Sequence, residues 1–379
     1  MRPFIYIVPL CVLLMDATFA APTCVDEVVL PRIESESATF AVRKLVSGLA
    51  FPWALAFLPD QRMLITERPG RLWLKDGDSI TEVHGVPDVR SGGQGGLLDV
   101  IAHPDFSNNQ LIYLSYAASY QDGAGTRVTR ARLNNYALTD SQVIFEMDPP
   151  GDSAIHFGSR FAFDIDGHLF ITLGERGDRD LSQQLDAHRG KVIRLRDDGS
   201  VPDDNPFVGT PGAKPEIYSY GHRNPQGLVY DEVSGRLWLH DHGPRGGDAL
   251  HIVRAGQNYG WPLATYGREY YGPSIGTTPD KMESIVQPVI HWTPSIAPCG
   301  LTLYRGDRFP GWRGNLFSGA LAGEHLRRIV LEDDNVVSQE VLLKEQLGRI
   351  RDVVAGPDGF IWFTTDNADG GLFQIVPAK

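Results

Sequence analysis

Three arginines stand in two short polar phrases of an acidic chain, Arg223 in GHRNPQG and Arg349 with Arg351 in GRIRD. Guanidinium groups hold carboxylates through paired hydrogen bonds, and two arginines two residues apart share one side of an extended segment, so the set suits a small polyanion. The competing use of the same groups is ion pairing with neighbouring carboxylates. Other polar phrases supply further chemistry: Gln94 in GGQGG, His156 in SAIHFGSRFAFD, Glu175 in TLGERG, and Asn224 and Gln226 beside Arg223. Asp241, His242, Gly243 and Pro244 follow in DHGP, with Glu67 and Asp366 in equivalent places.

What must position these groups is a repeat. Six stretches share one pattern: a short apolar strand, a Pro/Asp/Gly turn, a second apolar strand, then a polar cluster. They begin at Phe51, Gly96, Ser159, Asn224, Cys299 and Ile350, roughly 45 to 75 residues apart. The strands are β-branched and aromatic, the turns carry Pro-Asp or Asp-Gly, and no long segment keeps a helical apolar period. The spacing leaves room in each copy for two outer strands, which predicts an all-β fold, a six-bladed β-propeller of four-stranded blades over residues 21–379. An antiparallel hairpin returns its second strand to the face where the first began. Gln94, His156, Arg223, Asn224, Gln226, Arg349 and Arg351 precede first strands, and Glu67, Glu175, Asp241 to Pro244 and Asp366 follow second strands. All are therefore expected to ring one mouth of the central channel, while the generic turn residues of LPDQ, DIDG and GPDG face the other.

Composition agrees with one large closed β architecture: 379 residues, 42% hydrophobic, with 41 Gly and 26 Pro. Arg2, an apolar run from Phe4 to Met15 and the small-residue end Thr18-Phe19-Ala20 resemble a secretory signal over residues 1–20, cleaved after Ala20. The alternative is a retained anchor. Export predicts a secreted, periplasmic protein, with no other stretch long enough for stable membrane insertion. Cys24 and Cys299 then remain in an oxidising compartment, either paired or as two unrelated thiols. A net charge of −12 without any basic tract argues against a nucleic-acid partner.

Over nearly the whole mature chain, these phrases resemble the soluble quinoprotein sugar dehydrogenases, six-bladed propellers that use pyrroloquinoline quinone (PQQ) with calcium. The resemblance runs from GLAFPWALAFLPD through GGQGGLLDVIAHPDF, YSYGHRNPQGL and DHGPRGGD to QNYGWP and RIRDVVAGPDG. It implies oxidation of aldoses at the anomeric carbon to lactones, with electrons passed to an external acceptor. His156 becomes the general base and Glu175 its support. Gln94, Arg223, Asn224, Gln226, Arg349 and Arg351 become contacts of PQQ, whose three carboxylates account for the arginines. Ca²⁺ falls to the main-chain carbonyls of Gly243 and Pro244, suitable donors for a hard cation.

Two departures from the family pattern bear on that assignment. Ala322, in SGALAGEHL, stands where the glucose enzyme has a PQQ-contacting lysine. Ala249 stands where relatives use a glutamate for a structural calcium, so one calcium is expected rather than a second near Tyr259. Trp292 and Tyr266 are candidate walls of a sugar site, packing residues being the alternative. The alternatives are a calcium-dependent lactonase, which needs several carboxylate or Asn ligands converging on the axis, and a non-catalytic extracellular binding propeller.

Overall fold

The computed structural model describes residues 20–378, so the expected leader, residues 1–20, lies outside the described residues but for Ala20. Inner strands are apolar along almost their full length because a blade near the axis is covered on both faces by its neighbours. PWALAF, in Pro52–Phe57, is buried from Pro52 to Ala56, and Leu97–Ala102 is buried over its first four residues. These two, with Gly158–Phe163, Pro225–Asp231, Pro298–Leu303 and Ile350–Ala355, are the first strands of the six repeats. Each inner strand packs on the next and the last on the first, closing a six-bladed β-propeller around a central axis.

Five sheets have four antiparallel strands and one has five. The sixth repeat supplies only Ile350–Ala355, Ile361–Thr365 and Gly370–Pro377 before the chain ends. Its fourth strand is Thr39–Leu49, paired from Phe40 with Pro377 to Leu49 with Gly370, and its fifth is Thr23–Glu34. The ring is thus closed by joining the two ends of the chain in one sheet. Sequence spacing placed two outer strands inside every repeat and missed this exchange.

The channel is filled rather than open. Arg160, on the third inner strand, is buried on the axis and donates to Asp352 Oδ1 (2.7 Å), Gln226 O (3.0 Å) and Arg351 O (3.0 Å). Asp99 Oδ1 lies 3.6 Å from the same guanidinium, which sits 4.0 Å from the Trp53 ring centroid. Asp99 Oδ2 accepts from Phe161 N (2.8 Å) and Asp352 Oδ2 from Leu55 N (3.0 Å). With Cys299 Sγ 3.6 Å from Arg160, all six inner strands contribute to one charged plug. Burial pushes the Asp99 carboxyl up to about 7 despite Arg160, and burial raises Asp352 as well.

The cysteines do not pair. Cys299 is buried on the inner strand of the fifth blade, whereas Cys24 lies on the outermost strand of the sixth, and both are free thiols. Successive strands are about 4.8 Å apart, so the breadth of a blade separates the two positions beyond disulfide reach. Among the described residues, no helix is long and apolar enough to cross a membrane.

Candidate functional site

Every inner hairpin carries a register shift at the same end. The shifts fall between Pro52/Ala54, Leu97/Val100, Gly158/Phe161, Pro225/Gly227, Cys299/Leu301 and Ile350/Asp352. An extra residue bends the strand and re-aims the side chains beside it. Six such bends in a ring turn the polar phrases over the channel mouth.

His156 has φ +56° and is 7% exposed. Its Nδ1 lies 2.8 Å from Glu175 Oε1, and its backbone N–H donates to Gln94 Oε1 (2.7 Å). Gly174, the residue directly after the second strand Leu169–Leu173, has no room for a side chain: a Cβ there would come within 2.0 Å of the His156 carbonyl oxygen. The TLGERG glycine therefore lets the His156 and Glu175 segments approach. Arg176 donates to the carbonyls of Ser153 and Ile155 and stacks on Phe157 at 3.4 Å, pinning the segment that carries His156. Burial lowers the His156 pKa below its ordinary value, although the hydrogen bond to Glu175 opposes the shift. That direction favours the uncharged imidazole; with Nδ1 facing Glu175, Nε2 is the ring nitrogen left without that partner.

Arg223 and Asn224 are set by Asp241, which accepts from their backbone N–H groups at 2.7 Å and 2.6 Å. Arg223 Nη1 donates to Gly243 O (3.0 Å) and His242 O (3.3 Å). Asn224 Oδ1 accepts from Gly158 N (3.1 Å), and Gln226 Nε2 donates to Gly158 O (3.0 Å), so the GHRNPQG phrase buttresses the His156 strand. Arg349 and Arg351 converge on Asp366 Oδ2, at 3.2 Å and 2.8 Å. Burial alone would raise that carboxyl, but Arg351 and then Arg349 hold it below its ordinary value. Both competing uses of arginine thus occur together: the Arg349 side chain is 44% exposed while paired, and the Arg351 side chain, at 8%, serves Asp366 and Gln226 Oε1 (3.3 Å).

A cleft of about 720 Å³ opens at this mouth. Gln94, His156, Arg223, Gly243, Pro244 and Arg349 line it; Glu175, Asn224, Gln226 and Arg351 are not on its wall and support it from beneath. Arg245, Arg268 and Ala322 also line it. Four arginines therefore face the cleft, and the wall has no carboxylate side chain. That donor set fits a polyanion such as a tricarboxylate, and the main-chain carbonyls at Gly243 and Pro244 fit a hard cation beside it.

Sequence reasoning left out Asp248, whose carboxylate accepts from the N–H groups of Gly243 (2.8 Å), Ile296 (2.7 Å) and Ala297 (2.8 Å) and from Ser295 Oγ. It fixes the DHGP turn, and its place directly after Gly246-Gly247 was the available signal. Trp292 is no sugar wall. It is buried on the outermost strand of the fourth blade, packs in the interblade core and donates Nε1–H to Gln339 Oε1 (2.7 Å). Tyr266 stacks on His291 (centroids 3.9 Å apart) and lines, with Ala249 and Tyr259, a small pocket of about 40 Å³ that shares Arg223, His242 and Gly243 with the cleft.

The family model described as "Glucose / Sorbosone dehydrogenase" matches residues 49–374. The chain is 43% identical to Aldose sugar dehydrogenase YliI of Escherichia coli (strain K12) over 386 residues, covering 99% of each protein. A crystal structure of a glucose dehydrogenase is similar with a TM-score of 0.86 at 47% identity, over 89% of this chain and 99% of that one. The PQQ-bound form of an aldose sugar dehydrogenase from Streptomyces coelicolor aligns with a TM-score of 0.74 at 27% identity, over 94% and 99% of the two chains.

Proposed function

The chain belongs to the Glucose / Sorbosone dehydrogenase family, and from that premise we propose that it oxidises aldoses at the anomeric carbon with PQQ and Ca²⁺. One observation carries the reading: a buried, hydrogen-bonded His156–Glu175 pair opens onto a cleft walled by four arginines and no carboxylate. Arg223 and Arg349 hold the carboxylates of PQQ from the wall, with Gln94 beside them. Asn224, Gln226 and Arg351 keep that wall in place from beneath. Gly243 and Pro244 offer carbonyl oxygens to Ca²⁺. When bound, PQQ with its calcium supplies the acceptor for the hydride that leaves the anomeric carbon.

The rest is done by the chain. His156 Nε2 takes the proton of the anomeric hydroxyl as hydride leaves the same carbon, so two electrons and one proton depart together with a second proton held on the imidazole, and the sugar becomes a lactone. Glu175 stabilises the imidazolium that results. Electrons then pass to an external acceptor. A lactonase would need carboxylates converging on its metal, but those of the mouth are committed elsewhere: Asp241 to two backbone N–H groups, Asp366 to two arginines, and Glu67 to Ala50 N and Arg71. The signal-like residues 1–20 support export to the periplasm, which N-terminal sequencing of the secreted protein checks by finding Ala21 first.

Purified protein given PQQ and Ca²⁺ is expected to reduce a dye with a panel of aldoses and to show no lactone hydrolysis. Lactone hydrolysis without dye reduction would replace this reading with the hydrolase. Arg223→Ala removes one charge-assisted contact, about 1.5–3 kcal/mol, and is expected to weaken PQQ binding tenfold to a hundredfold in an absorbance titration. Unchanged affinity would remove Arg223 from the cofactor site.

Calcium stoichiometry is a separate expectation. Ala249 offers no carboxylate to the pocket it shares with Tyr259, so metal analysis of the PQQ-loaded protein is expected to give one calcium per chain, lost together with the cofactor. Two stoichiometric calciums, one persisting without PQQ, would mean that other ligands replace the missing glutamate.

A further inference from the structure

Arg245 and Arg268 lie directly opposite each other on the rim of the cleft. Their backbones form an antiparallel bridge, Arg245 N to Arg268 O at 3.1 Å and Arg268 N to Arg245 O at 3.3 Å. Both side chains are exposed, both line the cleft that His156 lines, and among the described residues neither has an ion pair or side-chain hydrogen bond. The bridge is rigid. Gly243, Gly246, Gly247 and Gly267 pack backbone on backbone around it, and a Cβ on Gly267 would come within 2.5 Å of Gly246 O. Like charges set directly across a bridge repel, and the local carboxylates do not relieve them. Glu269 is paired with Arg179 at 2.6 Å, and Asp248 is taken by Gly243, Ser295, Ile296 and Ala297. A chain of net charge −12 nonetheless sets these two guanidiniums across one bridge without an ion pair.

We propose that Arg245 and Arg268 receive an anionic group of the substrate, so that the preferred substrates are aldoses bearing a carboxylate or phosphate remote from the anomeric carbon. The assignment rests on reading the cleft as a sugar-dehydrogenase site. Depth separates these arginines from the ones given to the cofactor. His156 and Arg223 are each 7% exposed and lie at the floor, where the anomeric carbon must come. The bridge is at the rim, where the far end of a sugar would emerge. Guanidinium pairs bind carboxylate and phosphate oxygens alike, so both anions are tested.

The experiment compares kcat/KM of the PQQ- and Ca²⁺-loaded protein for galacturonate, glucose 6-phosphate and the neutral sugars galactose and glucose. One or both charged sugars are expected to exceed their neutral counterparts about tenfold to a hundredfold, chiefly through KM, and the two arms identify the anion. The ratio is expected to collapse in Arg245→Gln/Arg268→Gln and to survive in part in Arg245→Lys/Arg268→Lys. Equal kcat/KM for charged and neutral sugars in the wild type overturns the proposal. So does a Gln variant that keeps the ratio, or one that loses PQQ affinity while keeping the ratio, which would assign the pair to the cofactor. Calorimetric titration of the same protein with the charged sugars gives a readout independent of turnover. Should no aldose reduce the dye, the dehydrogenase reading fails on its own, while binding that is lost in the Gln variant still decides the role of the two arginines.

Discussion

His156→Ala is expected to bind PQQ and Ca²⁺ as the wild type does and to reduce its quinone with sugar about 10²–10⁴-fold more slowly, the usual contribution of a positioned general base. The separation follows from the geometry: the proposed cofactor contacts come from other blades, and the histidine side chain is hydrogen-bonded to Glu175, which is not one of them. Rapid mixing of loaded protein with aldose isolates this step from reoxidation by the dye. A wild-type rate in His156→Ala would remove the residue from catalysis. Glu175→Gln should act in the same direction but less, since it keeps the hydrogen bond and loses the charge that stabilises imidazolium. It also has a pH signature. Burial lowers the His156 pKa and Glu175 opposes that shift, so removing the charge lowers the pKa further. The acid limb of kcat/KM, which falls as the base becomes protonated, is therefore expected to move to lower pH in Glu175→Gln. A shift to higher pH would contradict the role given to the pair.

The scaffold was legible because its strands repeat: the six first strands begin within a residue or two of the positions read from the apolar phrases. The mouth was legible for the same reason, since hairpin geometry sends both strand ends to one face. What stayed hidden depends on long-range placement. Thr39–Leu49 reads as another apolar strand, and nothing local says that it completes the sixth blade by pairing with Gly370–Pro377. The six register shifts leave no mark in residue type, yet they aim His156 and Arg223. Arg351 looked equivalent to Arg349 by spacing, but the shift between Ile350 and Asp352 turns it beneath the floor. Trp292 stayed open between two uses because an aromatic in a loop-rich stretch suits a sugar wall and an interblade core equally well until the fold decides. Arg160, in SRFAFD, was not singled out at all; an arginine within an apolar strand declares itself only when the channel brings acids from two other blades to meet it.

Arg160→Met is expected to destabilise the fold by about 3–5 kcal/mol, because it leaves buried carboxylates without their counter-charge. The Met chain fills much of the volume, but Asp99 and Asp352 lose their guanidinium, and the carbonyls of Gln226 and Arg351 lose donors. The loss should depend on pH, with a sign set by the acids. Burial raises the folded Asp99 carboxyl to about 7, above its unfolded value of about 3.9. The folded state therefore binds the proton more tightly, and the contribution of this group to stability declines as pH rises from about 4 through 7. Without Arg160 both carboxyls rise further, so the penalty of the substitution is expected to be larger at pH 8 than at pH 5, where protonation relieves it. Neutralising the acids as well, in Arg160→Met/Asp99→Asn/Asp352→Asn, should recover part of the loss, since a missing partner costs more than a missing triad. Urea unfolding of the three proteins at both pH values measures each term. A pH-independent penalty, or a triple variant no more stable than Arg160→Met, would show that the arginine acts through its packing on Trp53 rather than by compensating the carboxylates at the centre of the ring.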